Sequence, residues 1–106
     1  MKVQIPFRPE FREVMLNGIK TMTSRTKPFG KEGDTFSAFG AEFRLKYVFR
    51  ELLRYSAVNW EMEGAKSKED FIRIWNEIHP RKGFDPFQSV WVHIFEKIEG
   101  GGETKP

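Results

Sequence analysis

The chain has 106 residues, of which 39% are hydrophobic and 15% aromatic, with 11 phenylalanines, no cysteine and a formal net charge of +3. That length and apolar content suit one globular domain with a buried core and exclude an extended disordered chain. The lack of cysteine excludes a disulfide framework and a thiolate metal site, and so small a positive charge permits nucleic-acid binding without arguing for it.

In chain order, Val3, Gln4 and Ile5 read as a short first strand stopped by Pro6. Pro9 suits the first turn of a helix, and Phe11, Val14 and Met15 give that helix one apolar face. Asn17 and Gly18 close it, and residues 21–25 then run extended. Residues 27–33 form a loop with Pro28, Gly30 and Gly33, residues 34–39 a strand, and Gly40 a turn. From 41 to 50 the pattern alternates, with Ala41, Phe43, Leu45, Tyr47 and Phe49 on the inner side of a long, curved strand. Arg44, Lys46 and Arg50 on the other side read as a solvated face rather than a track for RNA.

Ser56 is placed to cap a short helix running to Met62, ended by Gly64. Ser67 caps the strongest helix, in which Phe71, Ile74, Trp75 and Ile78 form the apolar stripe before His79 and Pro80. His79 serves the C-terminal end of that helix. The stretch 90–98 is apolar on both faces, as a central strand is, with Trp91 in the core and His93 a satisfied core histidine. Residues 100–106 read as a disordered tail after a domain at 1–99. No apolar run approaches the roughly 20 residues of a membrane span, and the start of the chain lacks the apolar segment of a secretory leader. A cytoplasmic location without a membrane partner is therefore expected. The order of elements predicts an α+β class.

The densest chemistry lies at 18–25, Gly-Ile-Lys-Thr-Met-Thr-Ser-Arg. Gly18 frees the backbone, Lys20 and Arg25 bring two different cations, and Thr21, Thr23 and Ser24 add hydroxyls. The set suits a polar, anionic or carbonyl-bearing ligand such as a nucleotide.

The pattern Gly18-x-Lys20-x-x-Thr23-x-Arg25 resembles the signature of the ASCH domain, a small β-barrel branch of the PUA-like fold group. The usual signature has glutamate where this chain has Thr23, and a subgroup of small stand-alone members has threonine. Gly33-Asp34, Glu63-Gly64 and the ending from Phe84-Asp85-Pro86 to the 90–96 strand are similar to archaeal single-domain ASCH proteins, so that the resemblance covers residues 3–98. It implies a small mixed β-barrel flanked by helices, with a cleft on one side. Resemblance to the small bacterial members that deacylate N4-acetylcytidine implies an amidohydrolase whose catalytic residues would be Lys20, Thr23 and Glu63, with Glu61 the other acid nearby. Gly18, Thr21, Ser24 and Arg25 would bind the ligand, with no metal and no cofactor.

Thr23 would attack the acyl carbonyl, and Lys20 could take its proton only as the neutral amine. Burial and Arg25 would lower the lysine's pKa, while Glu63 would raise it and fits better as a proton shuttle or orienting group. In a straight strand residues 20 and 23 point to opposite faces, so the chain must bend between them. The alternative is a non-catalytic RNA-binding module of the PUA-like type. Lys20 and Arg25 would then hold phosphates, and Phe29, Trp60 or Phe84 would stack on a base. A third class is a protein-interaction module presenting an exposed apolar patch. Plainer readings stand beside these: Lys20 and Glu63 as a structural salt bridge, Arg25 as a tie to a loop carbonyl, and Trp60 and Trp75 as core.

Overall fold

The structure is a computed structural model that describes residues 1–98; residues 99–106, including the tail expected at 100–106, lie outside the described residues. A 3-10 turn, Pro9–Phe11, leads into helix α1, Arg12–Leu16. Strands β1, Met22–Arg25, β2, Thr35–Ala38, and β3, Ala41–Leu52, follow, then α2, Leu53–Val58, α3, Lys68–Ile78, and β4, Ser89–Lys97. The four strands make one antiparallel sheet in the order β1-β4-β3-β2, curled into a half-barrel. The α+β class and barrel-like sheet match the expectation, and β4 is central.

Several elements differ from the sequence reading. No strand forms at residues 3–5. Lys2 makes a single parallel bridge to Thr35, and Val3 donates one backbone bond to the Thr35 carbonyl, before Pro6 withholds a donor. Strand β2 stops at Ala38 because Phe39 and Gly40 both take positive φ, 53° and 80°, in the two-residue hairpin turn to Ala41.

Strand β3 does not keep one alternation. Leu45 pairs with Phe95 but Tyr47 with Ile94, so Lys46 is an extra residue, a β-bulge. The bulge exchanges the faces: Phe43 and Leu45 are buried, whereas Tyr47 and Phe49, expected inside, are 53% and 39% exposed, and Val48 packs inward instead. Ser56 is not a cap. It lies inside α2, which begins after Leu52, and its hydroxyl is buried against Ser24. Trp91 is only partly buried and lies under the Arg50 guanidinium, 5.1 Å from the ring centre. Ser67 caps α3 as expected, accepting from the Asp70 amide at 3.0 Å.

Apolar residues collect on both faces of the sheet. On one face Met22, Val90 and Val92 pack against Leu53, Ala57, Phe71 and Trp75 of α2 and α3. On the other, Phe36, Phe43, Leu45 and Phe95 enclose Ile5 and Met15 of the N-terminal segment. The rings of Phe36, Phe43 and Phe95 meet at 5.2–5.6 Å, stacked or edge-on, and Phe7 joins them. Such pairs add about 0.5–1.5 kcal/mol each beyond area burial. β1 is an edge strand, and beside it the two cores stand apart.

Candidate functional site

The gap beside β1 is a cavity of about 420 Å³, within the roughly 300–1,000 Å³ usual for small-molecule sites. One wall carries Phe7, Phe11 and Phe29, and the other Phe71, Trp75 and His79. Lys20, Thr23, Ser24, Arg25 and Glu63 form its polar part.

The bend that the motif required is built by α1's exit. Gly18 takes a φ of 76°, and the amides of Ile19 and Lys20 both donate to the Val14 carbonyl, at 2.8 and 2.9 Å. Lys20 therefore precedes β1 and its side chain folds back toward the strand. Its Nζ donates to the Met22 carbonyl at 2.8 Å and to the Glu63 carbonyl at 2.6 Å, and lies 3.7 Å from Glu63 Oε1. The stem of Lys20 rests on Gly64. A Cβ there would come within 2.9 Å of Lys20 Cβ and Cδ, and Gly64 has a φ of 86°, which explains why glycine follows Glu63.

Glu63 is 5% exposed and Lys20 2%, whereas Glu61 is exposed and outside the cavity lining. Of these two acids, the one that lines the cavity is thus Glu63. Its Oε2 accepts from Ser24 Oγ at 2.6 Å, and Ser24 and Ser56 share a second hydroxyl bond of 2.6 Å. Since the proton of Ser24 goes to the carboxylate, Ser56 donates to Ser24. Burial brings the Lys20 pKa down to about 8, against the upward pull of Glu63 and with help from Arg25. Burial also raises Glu63, partly offset by Lys20, Ser24 and Arg25.

Arg25 makes two hydrogen bonds and two ring contacts. Its Nε donates to Thr23 Oγ1 at 2.9 Å, a terminal nitrogen donates to the Pro6 carbonyl at 2.6 Å, and the guanidinium sits between the Phe7 and Phe29 rings at 4.9 and 5.2 Å. It joins the N-terminal segment to β1, as the plainer reading had it. His93, the cross-strand partner of Thr23, is fully buried. Its Nε2 accepts from the Phe29 amide at 3.1 Å, so Nδ1 carries the proton, 3.3 Å from the Thr23 carbonyl. Burial lowers its pKa and keeps it neutral.

Of the residues singled out in the sequence, Lys20, Thr23, Ser24, Arg25 and Glu63 meet at this cavity. Gly18 and Thr21 lie outside its lining. Gly18 turns the chain, and Thr21 gives its amide to the Met62 carbonyl and its carbonyl to the Phe95 amide. Phe29 lines the cavity, while Trp60 and Phe84 pack against the α2–α3 core. Phe7, Phe11, Phe71 and His79 were missed as wall residues. The apolar stripe of α3 gave the one usable signal, because Ile74, Trp75 and Ile78 continue it toward the cavity. Among the described residues no group of three or more His, Cys, Asp or Glu side chains could hold a metal ion, and no helix is long and apolar enough to cross a membrane.

No family model matches this sequence, and no curated protein matches it. Solved structures do. The crystal structure of hypothetical protein PH0355 superposes with a TM-score of 0.70 at 18% identity, over 92% of this chain and 100% of that one. A solution structure of a protein from Pyrococcus furiosus gives 0.63 at 19%, over 94% and 100%. The ASCH domain from Lactobacillus crispatus gives 0.60 at 12%, over 91% and 79%. The chain has the fold of ASCH-domain structures, as the motif at 18–25 implied.

Proposed function

We propose that the cavity binds a nucleoside or nucleotide and that its reaction is hydrolysis of the amide of N4-acetylcytidine. The observation that carries this reading is that Lys20, Thr23 and Glu63, all nearly buried, line one aromatic-sided cavity, with Lys20 in contact with Glu63 from 43 positions away and Thr23 held by Arg25. Aromatic walls suit a flat base, and an amine and an acid shifted toward their neutral forms suit proton transfer near neutral pH.

As a neutral amine, Lys20 has two N–H groups for the Met22 and Glu63 carbonyls and one lone pair left over. Arg25 Nε already donates to Thr23 Oγ1, so the hydroxyl's own proton is free for another acceptor, and the guanidinium stabilises the oxygen as that proton leaves. In the proposed sequence Thr23 Oγ1 gives its proton to the lysine and bonds to the acetyl carbon. The carbon–N4 bond then breaks, and N4 takes the proton back from Lys20 and leaves as cytidine. Water, losing a proton to the same amine, attacks the acetyl-threonine ester; the carbon–Oγ1 bond breaks, Thr23 Oγ1 takes that proton back from Lys20, and acetate is released. Glu63 holds Lys20 in place through its main-chain carbonyl and limits how far burial lowers the lysine's pKa.

A non-catalytic RNA-binding role has less support. Arg8, at the cavity mouth, is paired with Glu10 and Glu77, Arg44 with Glu96, and Arg50 is folded over Trp91, so these cations do not form an open track for phosphates. Incubation with N4-acetylcytidine and chromatographic detection of cytidine and acetate tests the hydrolase reading. Turnover that disappears in Lys20→Ala and Thr23→Ala supports it, and absent turnover, or turnover unchanged in those variants, removes it. RNA affinity that falls steeply with salt in the absence of turnover would favour the binding module.

A further inference from the structure

We infer that the main chain of Ser24 is a reading element of the cavity: its N–H and C=O recognise a base edge that presents an acceptor beside a donor. This deepens the nucleoside reading above and rests on it.

Backbone directions along β1 follow from the ladder. The Phe95 amide donates to the Thr21 carbonyl at 2.9 Å, and the register runs Thr23 to His93 and Arg25 to Trp91. In an antiparallel pair the residues that exchange bonds alternate with those that do not. Thr23 and Arg25 therefore turn their backbone groups toward β4, as Thr21 does its carbonyl, and Met22 and Ser24 turn theirs outward. Met22's outward groups are satisfied: its amide donates to the Met62 carbonyl at 3.0 Å, and its carbonyl accepts from Lys20 Nζ. The ladder gives those of Ser24 no partner, because Ser24 and Val92 are a pair that does not exchange bonds, and no turn, loop or side-chain bond among the described residues reaches them. Ser24 is nearly buried, and buried main-chain groups without a partner are rare in folded proteins.

What lies outside that edge is the cavity. Thr23, Ser24 and Arg25 of β1 all line it, and consecutive strand residues point to opposite faces, so one cavity touches all three only if the edge of the strand faces it. The Ser24 hydroxyl is turned away to Ser56 and Glu63, which leaves the main chain as what this residue offers a guest. With Phe29 on one side and Trp75 on the other, a flat ring entering between the walls meets β1 by its edge. Cytosine's N3 accepts from the Ser24 amide and its N4–H donates to the Ser24 carbonyl. An N4-acyl group leaves one N–H in place for that contact.

The test is a ¹H–¹⁵N NMR titration of the protein with cytidine, 3-deazacytidine and N4,N4-dimethylcytidine, the last two lacking the acceptor and the donor. Cytidine should move the Ser24 amide together with those of Phe29 and Ala65, and each blocked base should bind roughly fivefold to tenfold more weakly, the loss of one hydrogen bond. Movement of the Phe29 and Ala65 amides without Ser24, or equal affinity for the blocked bases, overturns the inference and leaves the nucleoside reading standing. If cytidine moves none of these amides, the nucleoside reading falls and the inference with it. A paired variant adds a second readout. Proline is tolerated on an edge strand where the N–H points off the sheet, so Ser24→Pro should lose cytidine binding beyond any loss in Ser24→Ala, which keeps the amide. Equal binding by the two variants overturns the assignment.

Discussion

Lys20 and Glu63, 43 positions apart, are joined through both main chain and side chain: the lysine Nζ donates to the glutamate's own carbonyl at 2.6 Å and lies 3.7 Å from its carboxylate. The first contact fixes where the amine sits whatever the charge of the acid. The second adjusts how readily it gives up its proton.

A pH profile follows. Because Lys20 acts as a base only when neutral, and its pKa is lowered to about 8, deacylation should accelerate as pH rises toward that value and level off above it. A rate that is flat from pH 6 to 9, measured at saturating N4-acetylcytidine, would remove the lysine from the base role.

Stability carries the same titration with a definite sign. Folded Lys20 loses its proton near about 8, whereas the unfolded chain keeps it until about the ordinary value of 10.5. Between those values the unfolded state binds more protons, so this residue makes the folded state more stable as pH rises through the window. Lys20→Met lacks that contribution. Its stability relative to wild type should fall from pH 8 to 10, as followed by urea unfolding at each pH.

Glu63→Gln removes the negative charge that raises the lysine's pKa. The Lys20 titration, followed by NMR at its side-chain carbons, should move to lower pH than in wild type. A move upward, or none, would mean that the carboxylate does not act on the amine.

Gly64→Ala should cost about 1–3 kcal/mol in chemical denaturation, because the residue has a φ of 86° and its new Cβ would press on the Lys20 stem. Loss of deacylation beyond the loss of folded protein is expected too, since the stem positions Nζ. Gly33, at a φ of 94° but with nothing within 4 Å of a Cβ, is the control: alanine there should bring strain without touching the site.

Phe36 is fully buried among Phe7, Phe43 and Phe95. Phe36→Ala should destabilise the protein by about 3–5 kcal/mol, read as a lowered urea midpoint.

The legible parts of the sequence were those whose signals are local. Ser67 three residues before Asp70 gives a cap, a run apolar on both faces gives the central strand β4, and one compact motif supplies Lys20, Thr23, Ser24 and Arg25. Nothing local marks the bulge at Lys46. A lysine is as natural at a bulge as on an outward face, so the alternation reads straight through to Tyr47 and Phe49, whose sides the bulge exchanges. Serine favours helix starts, so by sequence Ser56 reads as a cap. Its place is set instead by Ser24, 32 positions earlier, through a bond that no spacing announces. The aromatic walls were hidden for a related reason: Phe7 and Phe11 come from the N-terminal segment and Phe71 and Trp75 from α3, and only the curl of the sheet brings them to one gap.

That the walls belong to separate cores has a mechanical consequence. A guest wedged beside β1 leans on the N-terminal phenylalanines and on α3 at once, like a keystone between two half-arches. Occupancy would therefore knit the molecule's halves into a single melting unit, and vacancy would leave the seam between them as the first place to part.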